Sequence, residues 1–539
     1  MTYTSNSNLI KQFVLQRKSR TIWIILLGMI TNLITIIIPV SIGKYYQLVF
    51  NFKAYRMKFL GVVPSTIWDT VPKFLIVFLL LIGTRYFFYF LHEYYLRNEG
   101  EIFTKQVKDY LFNHQLQIHN SVYKEKGIGK YLLRYSGDIN SLKNLYLKGT
   151  ISAIVDVLMI LFALYWLFVL NKKGAIAIIV LSLLFYLVIR FLNKKVELHS
   201  YQKRDKTSGQ LSFVSRTLNS ILGVILYNKQ EIELKKYKKK SNAVMVAAFK
   251  FNKWSILNSG FVSFIQYAIL CVVLYMFYLD IEEANVQNHG GELISFILLY
   301  ITILPVIRRL FSLERVYKLG NISLKKLNNI IEIEVEKINI GKNLKVNNPR
   351  VVFENVKFDN FDSINFNSKK MTFNTLLLPK GVDENNIISS ISRLNDSYEG
   401  TIKINDVDIR EFSSKSLRNV ISFCTKEIPL VGRTVYEAIT EYRSDKIKAD
   451  VNNFFSEIQS VFGNISTLEI DDNIGENGSL LSIAQYEILC LVRGVLAGKK
   501  ILIVGLFPIL ESHDSKLFLE VLKMHESTII KLEHKQNHD

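Results

Sequence analysis

ISAIVDVLMILFALYWLFVL, Ile151–Leu170, is followed after Asn171-Lys172-Lys173 by GAIAIIVLSLLFYLVIRFL, Gly174–Leu192. A helix needs about 20 mainly apolar residues to cross roughly 30 Å of hydrocarbon, and each stretch has that length. Two such runs joined by a polar turn read as a membrane hairpin with the turn outside. Four more segments of the same kind flank it: Ile22–Ile42, Phe74–Leu91, Phe261–Leu279 and Leu293–Phe311. The fold class expected is therefore an α-helical membrane domain of six spans.

The whole chain has 539 residues, 49% of them hydrophobic and 21% charged, with a mean hydropathy of +0.19. That positive mean excludes an ordinary soluble enzyme, and the abundance of Ile, Leu and Phe excludes global disorder. The net charge of +20 points first to nucleic acid, but its distribution argues otherwise. Residues 1–340 carry 43 Lys and Arg against 20 Asp and Glu, whereas the remainder carries 24 against 27. A basic excess confined to the hydrophobic part is that of cytoplasmic segments in a membrane protein, so lipid rather than nucleic acid is the expected partner. The cysteines, Cys271, Cys424 and Cys490, stand far apart with no metal-ligand spacing, and read as buried apolar residues in a reducing compartment; no metal is expected.

Lys11, Arg17, Lys18 and Arg20 precede the first span without a cleavage site, so that span reads as an anchor with a cytoplasmic N-terminus. Asp280–Glu292 has four acids and no Lys or Arg and reads as external. The first external segment, with Lys44, Lys53, Arg56 and Lys58, goes against this rule without reversing it. Arg97–Gly149 and Asn193–Ser259 are long, basic and free of proline, and read as helical extensions of the spans into the cytoplasm. Of the charges inside spans, Asp156 and Arg190 lie near span ends where a structural role suffices. Arg85 is nearer a span centre and either lines a path or pairs with a carboxylate such as Asp156.

A polar linker, 336–350, separates the membrane domain, 1–335, from a soluble α/β domain, 351–539. Val351–Phe358 alternates as an edge strand does. Thr375–Leu378, Ile501–Val504 and Thr528–Leu532 read as short buried strands, the first followed by a polar turn and a helical stretch to Leu394.

Six spans with two long internal hairpins resemble the transmembrane domain of exporter-type (type IV) ABC transporters. GKYLLRYSGDIN at Gly129–Asn140, Leu222-Gly223-Val224 with Glu231 and Tyr237, and Gly291–Phe296 running to Pro305 are similar to family strings in the same order. EGTIKINDVDI at Glu399–Ile409, Ser416-Leu417-Arg418, Gly475–Gly478, Leu481–Gln485 and Arg493 resemble that family's P-loop-like nucleotide-binding domain.

The resemblance implies an ATP site, yet the residues that would carry it are altered. A phosphate loop needs small residues, a Lys for the phosphate charge and a Ser or Thr for Mg²⁺. At the corresponding positions only Gly381 remains of the glycines, with Glu384 for the Lys and Asn385 for the hydroxyl. A carboxylate ~4 Å from a phosphate oxygen is repelled by about 4 kcal/mol at an effective dielectric of 20. Gly505-Leu506 follow the strand that should end in Asp-Glu, the magnesium holder and base. Lys426 replaces the glutamine that senses the phosphate. Asn360 stands where an aromatic would stack, with Phe361 beside it, and Ile483-Ala484 replace two signature glycines. Ser482 and Gln485 persist. His534 lies one residue from the family's switch histidine and reads as a surface residue. No G-x-x-x-x-G-K-[ST] occurs anywhere in the chain.

The expectation is a catalytically inactive half-transporter in a cytoplasmic membrane, with no nucleotide on its own phosphate loop. It would pair with an ATP-hydrolysing half whose ATP and Mg²⁺ could meet Ser482 and Gln485, and export a peptide, lipid or hydrophobic small molecule. The alternative is an ATP-independent membrane scaffold. No peptidase domain precedes Ile22, so leader-peptide cleavage is not expected.

Overall fold

A computed structural model describes residues 9–50, 70–119, 122–123, 131, 134–284, 290–358, 361–441, 448–462, 467–509, 522 and 527–535. The chain divides into two compact units, Met1–Gln117 with Glu125–Glu334, and Ile118–Lys124 with Val335–Asp539. Ile118 and Val335 form an antiparallel bridge within the second.

The first unit is helical: α1 (Leu9–Gln16), α2 (Lys18–Phe50), α3 (Val71–Gln115), α4 (Ile139–Asn144), α5 (Ala153–Leu170), α6 (Lys172–Asn219), α7 (Ile221–Leu226), α8 (Gln230–Ala284) and α9 (Gly290–Ile331). Wide π-helical turns, Arg134–Asp138 and Leu145–Ser152, flank α4. Among the described residues six helical stretches are long and apolar enough to cross a membrane, and each contains one of the six expected spans. The 171–173 turn forms as expected: Asn171 caps α6 by accepting from the Gly174 N–H at 2.7 Å. From Leu192, α6 continues to Asn219, about 40 Å at 1.5 Å per residue. It lies along α8, which accounts for the long basic segment between those spans.

Buried Phe277, Phe296, Leu299, Tyr300, Ile303 and Val306 form the centre of the membrane core, with Tyr300 donating to the Gln266 carbonyl at 2.9 Å. Beyond the spans, Arg134 binds Asp138 at 2.6 Å and Ser323 donates to the same carboxylate at 2.9 Å, so the GKYLLRYSGDIN string ties α9 to the turn before α4. Lys53, Arg56 and Lys58 lie outside the described residues.

The second unit holds β1 (Val351–Lys357), β2 (Ile364–Asn367), β3 (Phe373–Leu378), α10 (Glu384–Ile391), β4 (Glu399–Ile404), β5 (Val407–Asp408), α11 (Ser414–Val420), β6 (Ile421–Cys424), α12 (Val435–Thr440), α13 (Lys448–Val461), α14 (Ile483–Leu496), β7 (Ile501–Val504) and β8 (Thr528–His534). One sheet is antiparallel in the order β2-β1-β4-β5; the other is parallel in the order β3-β8-β7-β6. Two strand expectations are corrected. β1 is interior, paired on both sides, because its alternation reports one buried face and says nothing of its lateral neighbours. Among the described residues β3 pairs only with β8, and Leu377 is exposed. The 399–409 strand-turn-strand is β4-β5, turning through Asn405 and Asp406 at positive φ.

Cys424 and Cys490 are buried as expected, and burial pushes the Cys490 thiol up to about 11. Cys271 is exposed, a correction: it lies on α8 within an apolar span, where a small apolar side chain can face lipid. Gly494 of α14 abuts β6, and a Cβ there would overlap Cys424 Sγ and stand 2.8 Å from the Phe423 carbonyl oxygen. Gly494→Ala should cost about 1–3 kcal/mol through overpacking, read as a lower melting temperature of this unit. An unchanged melt would show that β6 yields freely.

Candidate functional site

Two places gather polar side chains. The first is a cavity of about 560 Å³ in the membrane unit, between α2, α3, α5, α9 and the turn Leu145–Ser152. Its charged lining is His92, Glu93, Arg97, Lys148, Asp156 and Arg309, at the level where the spans ending at Leu91 and Phe311 and beginning at Ile151 stop. Arg309 grips Asp156 with two bonds, Nε to Oδ2 at 2.9 Å and Nη2 to Oδ1 at 2.6 Å. Arg97 Nε donates to Glu93 at 2.8 Å, and His92 Nδ1 lies 3.0 Å from the Ile24 carbonyl oxygen. Lys148 is exposed and has no ion-pair partner among the described residues.

This overturns the Arg85–Asp156 pairing. Arg85 Nε donates to Thr35 Oγ1 at 2.9 Å. It stands seven residues before His92 on α3, about 10 Å along the axis from the Asp156 level, and Arg309 already occupies that carboxylate. Asp156 is buried within the bundle, whereas Arg190 is exposed.

The second place is the end of the parallel sheet where β6 and β7 run out together, Cys424 opposite Val504. Glu384, the first residue of α10, turns its carboxylate into that end. Its Oε1 accepts from the Leu506 N–H at 2.7 Å and its Oε2 from the Thr425 hydroxyl at 2.9 Å. Burial pushes this carboxyl above its ordinary value; the two donors and Lys426 pull it down, and Glu427 pushes it up. A Cβ on Gly505 would overlap Glu384 Oε2. Asn385 Nδ2 donates to Glu427, and Lys426 Nζ lies 3.2 Å from the buried Glu487, which also accepts from the Ile509 N–H. Gly381, at φ +91°, lies under Phe361, whose ring a Cβ there would overlap. Asn360 is outside the described residues.

Ser482 caps the N-terminus of α14: its Oγ accepts from the Gln485 N–H at 3.2 Å, while Gln485 Oε1 accepts from the Ser482 N–H at 2.9 Å. This capping box uses one acceptor site on each side chain and leaves the exposed Ser482 hydroxyl proton available. Beside it Ile483 is 65% exposed. His534 ends β8 opposite Leu378 and is exposed. Glu384, Thr425, Gly505 and Leu506 thus meet in one cluster, and Ser482 and Gln485 in another.

The ABC transporter transmembrane region family matches residues 21–304, more than half the chain. The chain belongs to the ABC exporters. The ATP-dependent lipid A-core flippases of Escherichia coli K12 and Shigella flexneri are each 24% identical to this exporter over 403 residues, covering 73% of it and 69% of the relative. The Photorhabdus laumondii flippase is 22% identical over 408 residues, 74% of this chain and 70% of its own. Among solved structures, a bacterial Atm1-family ABC exporter with ATP bound has a TM-score of 0.76 at 16% identity, over 97% of this chain and 91% of that one. At that identity the likeness shows the fold.

Sequence reasoning missed the cavity and the acceptor role of Glu384. For the cavity a signal was present: Asp156 and Arg309 are opposite charges in different spans, and such residues tend to pair inside a bundle.

Proposed function

We propose that this exporter chain is the catalytically inactive half of a pair in a cytoplasmic membrane, its N-terminus and α/β unit cytoplasmic, moving an amphiphile with an anionic headgroup. A partner half would supply ATP hydrolysis. The observation that carries the reading is the Glu384 carboxylate bound to Leu506 and Thr425, where a nucleotide-binding unit of this fold would hold phosphate and metal. Negative charge there repels phosphate, and Gly505-Leu506 offer neither a metal ligand nor a base.

A lipid-like substrate is supported by the cavity. It lies toward the ends of the spans that finish at Leu91 and Phe311, its two carboxylates are engaged by arginines, and Lys148 is left to meet an anion. The relatives' name, lipid A-core flippase, is compatible with that class. Pairing is supported by α7, an Ile-Leu-Gly-Val-Ile-Leu turn with no buried residue, on which Leu222 and Leu226 are each 68% exposed. Six apolar-rich residues at the tip of a hairpin that reaches beyond the bilayer need a cover, and a second half-transporter provides one.

Co-purification in mild detergent should recover a second ABC half with intact ATP motifs, and the pair's ATPase should rise with anionic lipid. Lys148→Glu should weaken the apparent affinity for that lipid about tenfold, by reversing one charge at the binding level. Equal response to neutral and anionic lipid, before and after the substitution, would remove the headgroup assignment. The scaffold reading keeps one observation in its favour. The capping box gives Ser482 and Gln485 a structural reason to persist that needs no ATP.

A further inference from the structure

In a parallel sheet the crevice outside the carboxyl ends of the strands is where ligands bind. Here that crevice is filled from within. The carboxylate comes from the first turn of α10, one donor from the residue after β6 and the other from the second residue after β7, so a single side chain joins three elements.

We propose that Glu384 is a resident internal ligand that holds α10, β6 and β7 in a fixed arrangement, making this unit a static platform that does not respond to nucleotide. The proposal rests on the reading that the chain binds no nucleotide of its own, and extends it from absence of a site to replacement of a ligand. Gly505 is its second component. With Glu384 Oε2 in the space of a Cβ and Glu384 Cδ 2.8 Å from it, no side chain fits at 505 while the carboxylate is seated. Gly505 has no positive φ, so the requirement for glycine comes from the carboxylate rather than the backbone. Glu384 and the absence of a side chain at 505 then form one unit, each requiring the other.

The test is hydrogen exchange of the Leu506 amide in the full-length chain in detergent, for wild type, Glu384→Ala, Gly505→Ala and the double variant, each with and without Mg·ATP. In the wild type the amide should be protected, with no change on adding nucleotide. Each single substitution should speed its exchange about tenfold, the loss of one hydrogen bond to a charged acceptor. The double variant should be no faster than either single, because both remove the same contact. Glu384→Gln, which keeps an acceptor for the Leu506 N–H, should retain most of the protection and guards against misfolding of the alanine variant. Protection that survives Gly505→Ala, or additive effects in the double variant, would overturn the internal-ligand role alone. Extra protection of the wild type by Mg·ATP would overturn it together with the non-binding reading.

Discussion

Ser482→Asp in the assembled pair is expected to lower ATP turnover by about 10- to 100-fold while leaving the thermal unfolding of this chain nearly unchanged. Aspartate caps a helix as well as serine does, so the bond to the Gln485 N–H is kept. What changes is the outward face, where the one unused hydroxyl proton becomes a negative charge. If that proton meets a phosphate held by the partner, its loss removes roughly 1.5–3 kcal/mol of hydrogen bonding to a charged group, and the new charge adds repulsion. Ser482→Ala is the weaker probe, since it also removes the cap at about 1 kcal/mol and mixes stability with turnover. Ser482→Thr, which keeps both cap and donor, should turn over normally. Assembly must be equal in all samples, because dissociation of the halves would lower turnover too. Full activity with aspartate would place the serine's role in the cap and favour the scaffold reading.

Arg309→Ala is expected to destabilise the membrane unit by about 3 kcal/mol. The removed guanidinium leaves Asp156, 5% exposed, as an uncompensated charge within the bundle. The value stands at the low end for buried pairs because the arginine is itself half exposed. Combining Asp156→Asn with Arg309→Gln should recover most of the loss in thermal stability, since two neutral groups can still hydrogen-bond. The same double variant should remain poor in transport if the pair shapes the cavity. Arg85→Ala, which breaks only a bond to Thr35, should cost much less. Equal losses for Arg85 and Arg309 would contradict the pairing.

The parts of the fold that read well from the sequence are those set by length and local chemistry. Ile151–Leu170 and Gly174–Leu192 are long enough to span, and the side chain of Asn171 between them caps the next helix. The parallel strands read at Ile501–Val504 and Thr528–Leu532 are short runs buried along their length, and the second extends through Glu533 to an exposed His534. What did not read were matters of partner. The alternation of Val351, Phe353 and Val356 reports a buried face, while the strand's neighbours β2 and β4 come from elsewhere in the chain. Asp156 could be assigned a partner only once packing had placed α9 rather than Arg85 beside it.

The site follows the same division. Glu384 drew notice in the sequence as a carboxylate where the family resemblance implies an ammonium. Its bonds to Leu506 and Thr425 were not legible there, since these lie 122 and 41 residues away in sequence. Ser482 and Gln485 look like surviving ATP contacts in the sequence. In the fold they also form a helix cap whose three-residue spacing is a capping-box signal, so one pattern carries two meanings.

The most direct measurement is calorimetric titration of Mg·ATP into the purified chain alone and into the assembled pair. The account predicts no saturable heat from the chain alone up to millimolar nucleotide, and binding in the pair that depends on the partner's own phosphate loop. Saturable micromolar binding by the isolated chain would contradict it.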